Sequence, residues 1–154
     1  MNAHAAYVGV GANLGDARGA VSNALNALGE VGTVRARSSL YRTRPWGFAD
    51  QPDFVNAVAL VITGLPPREL LAALKDLERR MGRSPAPRWG PRAIDLDLLL
   101  YDDLRLDEPG LRVPHPHLSQ RAFVLVPLAE IDPRYEPMRL ALPAAELDGV
   151  VRLD

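Results

Sequence analysis

Short apolar runs alternate with amphipathic stretches along most of the chain. Residues 6–10 form a compact apolar run of strand length. The segment Gly11-Ala12-Asn13-Leu14-Gly15 then reads as a structural turn, with Asp16 placed to cap a helix. Val21, Leu25 and Leu28 recur at helical spacing, flanked by Ala20, Ala24 and Ala27. A second strand is predicted over 34–41, with Arg35 and Arg37 on one face, followed by a polar, aromatic loop over 43–52. The β-branched, apolar run 54–62 predicts an interior strand. Pro66 and Pro67 suit the first turn of a helix, and Leu70, Leu71, Leu74, Leu77 and Met81 give it one apolar stripe that Gly82 stops. Over 93–101 the pattern alternates, with Ile94, Leu96, Leu98 and Leu100 on one face and Asp95 and Asp97 on the other. Residues 104–106 are expected to pair back as a short hairpin strand. A short helix is expected over 121–131 despite Pro127, and the tail beyond carries no clear pattern.

The resulting order is βαββαβ plus extra C-terminal elements. Two helices packed on an antiparallel four-stranded sheet accommodate that order economically, so the expected fold is α+β with a ferredoxin-like core. At 154 residues, 47% hydrophobic and 24% charged, the chain can build its own core, and one domain over 1–154 is expected. The absence of cysteine excludes disulfide scaffolds, thiol nucleophiles and cysteine metal sites. Neither a signal peptide nor an apolar run near the roughly 18 residues of a membrane span is visible. A cytoplasmic monomer without membrane or nucleic-acid partners is the expectation, and a net charge of -1 speaks against nucleic acid.

Seventeen of the eighteen basic residues are arginine, and Lys75 is the single lysine. Genome composition accounts for most of that bias, but not for its placement. Five arginines lie between Arg79 and Arg92, and no acidic residue interrupts them before Asp95. Guanidinium groups bind phosphate oxygens bidentately. On a strand, Asp95 and Asp97 point to the same side about 6.5–7 Å apart, which suits hard, oxygen-seeking cations such as Mg²⁺. Asp-x-Asp alone is a weak motif, since alternating acids also mark a solvated strand face. The arginine loop directly before it supplies the second half of a triphosphate site. The glycine-rich segment 9–15 does not match a dinucleotide loop, and there is no Walker lysine. Phe54 and Asn56 share a strand face, so an amide can read the edge of a flat heterocycle while the ring stacks on it. Trp46, Trp89 and Phe123 are further aromatic candidates.

The chain resembles the 6-hydroxymethyl-7,8-dihydropterin pyrophosphokinase family. Arg88-Trp-Gly-Pro-Arg-Ala-Ile-Asp-Leu-Asp-Leu-Leu99 carries the resemblance. So do the opening Gly-Ala-Asn-Leu-Gly, Ser39-Leu-Tyr-Arg-Thr43, Asp50-Gln-Pro-Asp-Phe-Val-Asn56, Val113-Pro-His115 and Arg121-Ala-Phe123. The resemblance implies transfer of pyrophosphate from ATP to the pterin hydroxymethyl group with release of AMP. It implies that Asp95 and Asp97 hold two Mg²⁺ ions and that Arg83 and Arg92 clamp phosphates. His115 and Arg121 would contact the outer phosphates, and Lys75, Glu78 and Leu98 would lie near the adenosine. Arg88, Trp89 and Arg112 complete the expected nucleotide contacts. Phe54 and Phe123 would sandwich the pterin, with Thr43, Asn56 and the backbone of Arg44 and Trp46 reading its edge; Asp95 also borders it. Two other classes share parts of the pattern: a ferredoxin-like RNA-binding module and a magnesium nucleotidyltransferase, which would release pyrophosphate instead of AMP.

Overall fold

The computed structural model describes residues 3–44, 52–82 and 93–153. Its strands are β1 (His4–Ala12), β2 (Thr33–Arg37), β3 (Tyr41–Thr43), β4 (Phe54–Thr63), β5 (Asp95–Tyr101), β6 (Leu106–Glu108), β7 (Leu111–Val113) and β8 (Val150–Arg152). The main sheet runs β5-β1-β4-β3-β8, and β2 also pairs with β4. All neighbours are antiparallel.

The expected strand over 34–41 is broken into β2 and β3, which lie end to end along one edge of β4. Arg37 faces Ala59, and Tyr41 faces Asn56. Ser38 explains the break. Its N–H donates to the Val58 carbonyl at 2.9 Å, while its Oγ accepts the Val58 N–H at 3.0 Å. A side chain thus completes the ladder where the main chain bends. With β2 and β3 counted as one interrupted strand, the core keeps the ferredoxin-like order.

Helices α1 (Ala17–Ala27) and α2 (Pro67–Arg80) cover one face of the sheet. Asp16 caps α1 by accepting the Gly19 N–H at 3.1 Å. Pro67 opens α2, and Gly82 follows it with φ +91°. Leu70, Leu74 and Leu77 pack with Val21, Leu25, Ala6, Val8, Val10, Val55, Ala57 and Leu96 into the larger core. The other face is covered by α3 (Ala122–Ile131), whose Leu125 and Leu128 pack on Tyr7, Val58, Leu99 and Leu100. The short helices α4 (Glu136–Leu140) and α5 (Ala144–Asp148) lead to β8, so the unpatterned tail adds an edge strand.

Three local expectations are corrected. Gly11 does not begin a turn: β1 continues to Ala12, and Gly9 and Gly11 lie inside it. The alternation of β5 fails after Leu98, because a bulge leaves Leu98 opposite Val8 and Leu100 opposite Tyr7. Leu99 and Leu100 therefore both join the α3 side, while Tyr101 joins the other core. Finally, the hairpin near Leu106 pairs β6 with β7 instead of returning to β5, around Gly110 with φ +76°. Among the described residues, no helix is long and apolar enough to cross a membrane.

Candidate active site

The α3 side of the sheet is only partly covered. At its open end, β5, β1, β4 and β3 contribute one row: Asp95 faces Gly11, Gly11 faces Asn56, and Asn56 faces Tyr41. One step along, Asp97 faces Gly9. Two strand spacings put Asp95 and Asn56 roughly 10 Å apart at Cα. Between them, β1 presents only Gly9 and Gly11 at this end of the face. A Cβ on Gly11 would stand 2.7 Å from Asn56 Oδ1, and one on Gly9 would touch Leu99 at 3.4 Å. The glycines keep a shelf open between the carboxylates and the amide.

Asn56 is buried, and its Nδ2 donates to Thr43 Oγ1 at 3.3 Å. Phe54 lies two residues before it on the same face, as the sequence predicts. Asn13, also buried, donates from Nδ2 to the Pro52 carbonyl at 2.9 Å and so ties the end of β1 to the segment entering β4.

The N-terminal end of α3 supplies Phe123 and Arg121, whose guanidinium lies 5.5 Å from the Phe123 ring centre. The C-terminal end is fastened to the sheet. Glu130 accepts from the Ser39 N–H at 3.0 Å and from the Tyr41 hydroxyl at 2.6 Å. Tyr7 donates to Asp132 Oδ2 at 2.6 Å. Hydrogen bonds from Arg134 hold the Asp132 carboxyl at about 2, well below its ordinary range.

Asp97 carries the clearest electrostatic signature of the site. Burial, reinforced by the charge of Asp95, pushes its carboxyl up to about 7. Its side chain still keeps 35% of its surface open, although protein closely surrounds the carboxylate. Lys75 Nζ stands 3.8 Å away. Two crowded carboxylates above a side-chain-free shelf fit hard cations that retain water and share ligands with phosphate. Among the described residues, no third histidine or acid joins them in a metal-ligating group. His115 is held to β5 by its N–H, which donates to the Leu99 carbonyl at 2.8 Å. Burial, with Arg121 and His117 adding to it, lowers its imidazole to about 4, so the ring is neutral at pH 7. Its Nδ1 accepts the His117 N–H at 3.2 Å, which leaves Nε2–H as a donor.

The remaining expected residues are distributed unevenly. Lys75 and Glu78 project from α2 onto β5, and Glu78 is only 2% exposed. The Leu98 side chain lies in the α1–α2 core. Arg112 pairs with Asp107 at 3.1 Å across the β6–β7 hairpin. Arg44 is exposed just after β3. Trp46, Arg83, Arg88, Trp89 and Arg92 lie outside the described residues. The uninterrupted positive run is already divided at its start. Arg79 and Arg80 both pair with Asp76, and Arg80 also reaches Glu30. Sequence reasoning missed Gly9 and Gly11. Their signal was the period of two with Val8, Val10 and Ala12, which continues a strand instead of ending it.

Similarity to named pyrophosphokinases marks the chain as an enzyme of the phosphotransferase class. The family model for 7,8-dihydro-6-hydroxymethylpterin-pyrophosphokinase matches residues 7–133. A 2-amino-4-hydroxy-6-hydroxymethyldihydropteridine pyrophosphokinase of Pseudomonas aeruginosa is 45% identical over 156 residues, covering 96% of this chain and 95% of its own length. Its counterpart in Methylorubrum extorquens is 41% identical over 155 residues, covering 97% and 98%. The chain belongs to the 7,8-dihydro-6-hydroxymethylpterin-pyrophosphokinase family. The fold also resembles the crystal structure of Plasmodium falciparum HPPK-DHPS, with a TM-score of 0.68 at 15% identity over 88% of this chain; the chain spans 39% of that longer protein.

Proposed function

We propose that this protein transfers pyrophosphate from ATP to 6-hydroxymethyl-7,8-dihydropterin, giving the pterin diphosphate and AMP in folate biosynthesis. The observation that carries this reading is the glycine shelf, with Asp95 and Asp97 on one side and Asn56, Thr43 and Phe54 on the other. Substrates with a flat polar ring on one side and a polyphosphate on the other match that division. Near-complete coverage of the relatives from Pseudomonas aeruginosa and Methylorubrum extorquens supports one pyrophosphokinase domain over 1–154. As such an enzyme it would act as a cytoplasmic monomer on small molecules, without nucleic-acid or membrane partners.

The pterin would stack between Phe54 and Phe123, with Asn56, Thr43 and the backbone of Arg44 and Trp46 on its edge and Asp95 bordering its hydroxymethyl end. The adenosine would lie along the α2–β5 border near Lys75, Glu78 and Leu98. Asp95 and Asp97 would hold two Mg²⁺ ions, whose chemistry is to neutralise triphosphate charge and polarise the attacking hydroxyl. Arg83, Arg92, Arg121 and the Nε2–H of His115 would hold phosphate oxygens, with Arg88, Trp89 and Arg112 completing the nucleotide contacts. The pterin oxygen attacks the β-phosphorus in line, its bond to AMP breaks, and the hydroxyl proton departs to solvent. Positioning and charge neutralisation dominate such a transfer, and no side chain is assigned as general base.

Mass analysis of the products from ATP, Mg²⁺ and the hydroxymethyl pterin tests this reading. AMP and a pterin diphosphate are expected. Release of pyrophosphate with a nucleotidylated pterin, or of ADP, would overturn it.

A further inference from the structure

Among the described residues, the strand that carries both carboxylates is an edge strand, paired only with β1. Main-chain N–H and C=O groups alternate in direction along a strand. In β5, those of Leu96, the residue between the two aspartates, point away from β1. A second neighbouring strand would normally satisfy such groups. Here α2 does so with side chains. The Leu96 N–H donates to Glu78 Oε2 at 2.6 Å, and the Leu96 carbonyl accepts from Lys75 Nζ at 3.0 Å. Lys75 and Glu78 are themselves bridged at 3.1 Å across one helical turn. One carboxylate and one ammonium thus reproduce both halves of a ladder rung on a single residue.

The pleat at Leu96 sets how Asp95 and Asp97 splay over the shelf. Glu78 is too buried to offer a ligand much surface, whereas its contact with Leu96 is short and charge-assisted. We propose that Glu78, assisted by Lys75, is a positioning residue that stands in for the absent neighbour of β5 and fixes the angle between the two aspartates. Misplacement of reacting groups by about 1 Å can lower turnover on the order of 10²-fold, so a small change in this pleat is enough to matter. The role rests on the pyrophosphokinase reading for its catalytic consequence, but not for its structural one.

The experiment compares Glu78→Met, which cannot accept the Leu96 N–H, with Glu78→Gln, which can. In metal-free, substrate-free protein, NMR hydrogen exchange at the Leu96 amide should quicken at least tenfold in the Met variant and stay near wild type in the Gln variant. In the pyrophosphokinase assay, Glu78→Met should lower kcat about 10- to 100-fold, beyond any rise in KM for ATP that its place near the adenosine brings, and Glu78→Gln should recover most of kcat. Should the Met variant fail to fold, Lys75→Met removes the donor to the Leu96 carbonyl at a half-exposed position and should lower kcat in the same way, by a smaller factor. The proposal is overturned by unchanged Leu96 exchange. It is equally overturned by a rise in KM for ATP with kcat intact, which marks a nucleotide contact, or by Gln failing as badly as Met. A wild-type chain without pyrophosphokinase activity would sink the functional reading alone, because the exchange comparison needs no substrate.

Discussion

The two faces of one sheet are built on opposite terms. Toward α1 and α2 the strands present Ala6, Val8, Val10, Val55, Ala57 and Leu96, closed over by leucines. Toward α3 the same strands present Tyr7, Val58 and Leu99 at one end, then Gly9, Gly11, Asn56, Asp95 and Asp97 at the other. One side resists unfolding through burial. The other keeps crowded charge and uncovered main chain, arrangements that a folded protein sustains only where other contacts over-determine them. Strand period two separates these roles residue by residue, so a stability position and a site position are chain neighbours throughout.

If the faces are as separate as this, changes on either should leave the other intact. The largest effect is expected from Asp97→Ala, which should lower AMP formation by about 10³-fold or more while pterin binding, followed by fluorescence, persists. Retained activity would refute the metal assignment. On the opposite face, Leu74→Ala leaves a cavity among fully buried neighbours and should lower unfolding free energy by about 2–5 kcal/mol in urea titration. Both KM values should hold; a rise in either would show that the faces are coupled.

Gly11→Ala should raise KM for the pterin about tenfold by displacing Asn56, with chemical stability changed by no more than about 1 kcal/mol. An unchanged KM would remove the shelf from the recognition argument. The smallest effect concerns the fastening of α3. Asp132 has a depressed carboxyl, so its contribution exists above the unfolded value near 4 and is lost as pH falls toward about 2. Asp132→Asn should therefore be less stable than wild type at pH 7 by about 1 kcal/mol, the exposed Arg134 partner limiting the gain. That gap should close near pH 2, and a constant gap from pH 7 to pH 2 would assign the effect to packing instead.

Much of the helical face was legible because apolar periodicity reports burial directly. The stripe of α2, the Asp16 cap and the Gly82 stop all follow from local rules. Asp95, Asp97, Phe54 and Asn56 could also be placed, since i and i+2 on a strand share a face. The glycines were ambiguous because glycine marks turns and close approaches alike; the period of two with Val8, Val10 and Ala12 favours a strand, and the pairing partners settle it. Ser38 interrupts a strand through a side-chain contact with β4, 20 residues away, which no local pattern reports. The same holds for Glu78, which looks like an ordinary helix acid until β5 lies beside it.

The bulge at Leu99 bears on how chains of this kind can differ in length. Upstream of it, Asp95 and Asp97 keep their places opposite Gly11 and Gly9; downstream, Leu100 and Tyr101 pair on a shifted register. One irregular residue therefore uncouples the two halves of β5. A lineage could gain or lose a residue near the end of this strand, and rebuild the hairpin and tail that follow, without moving either carboxylate by a single position.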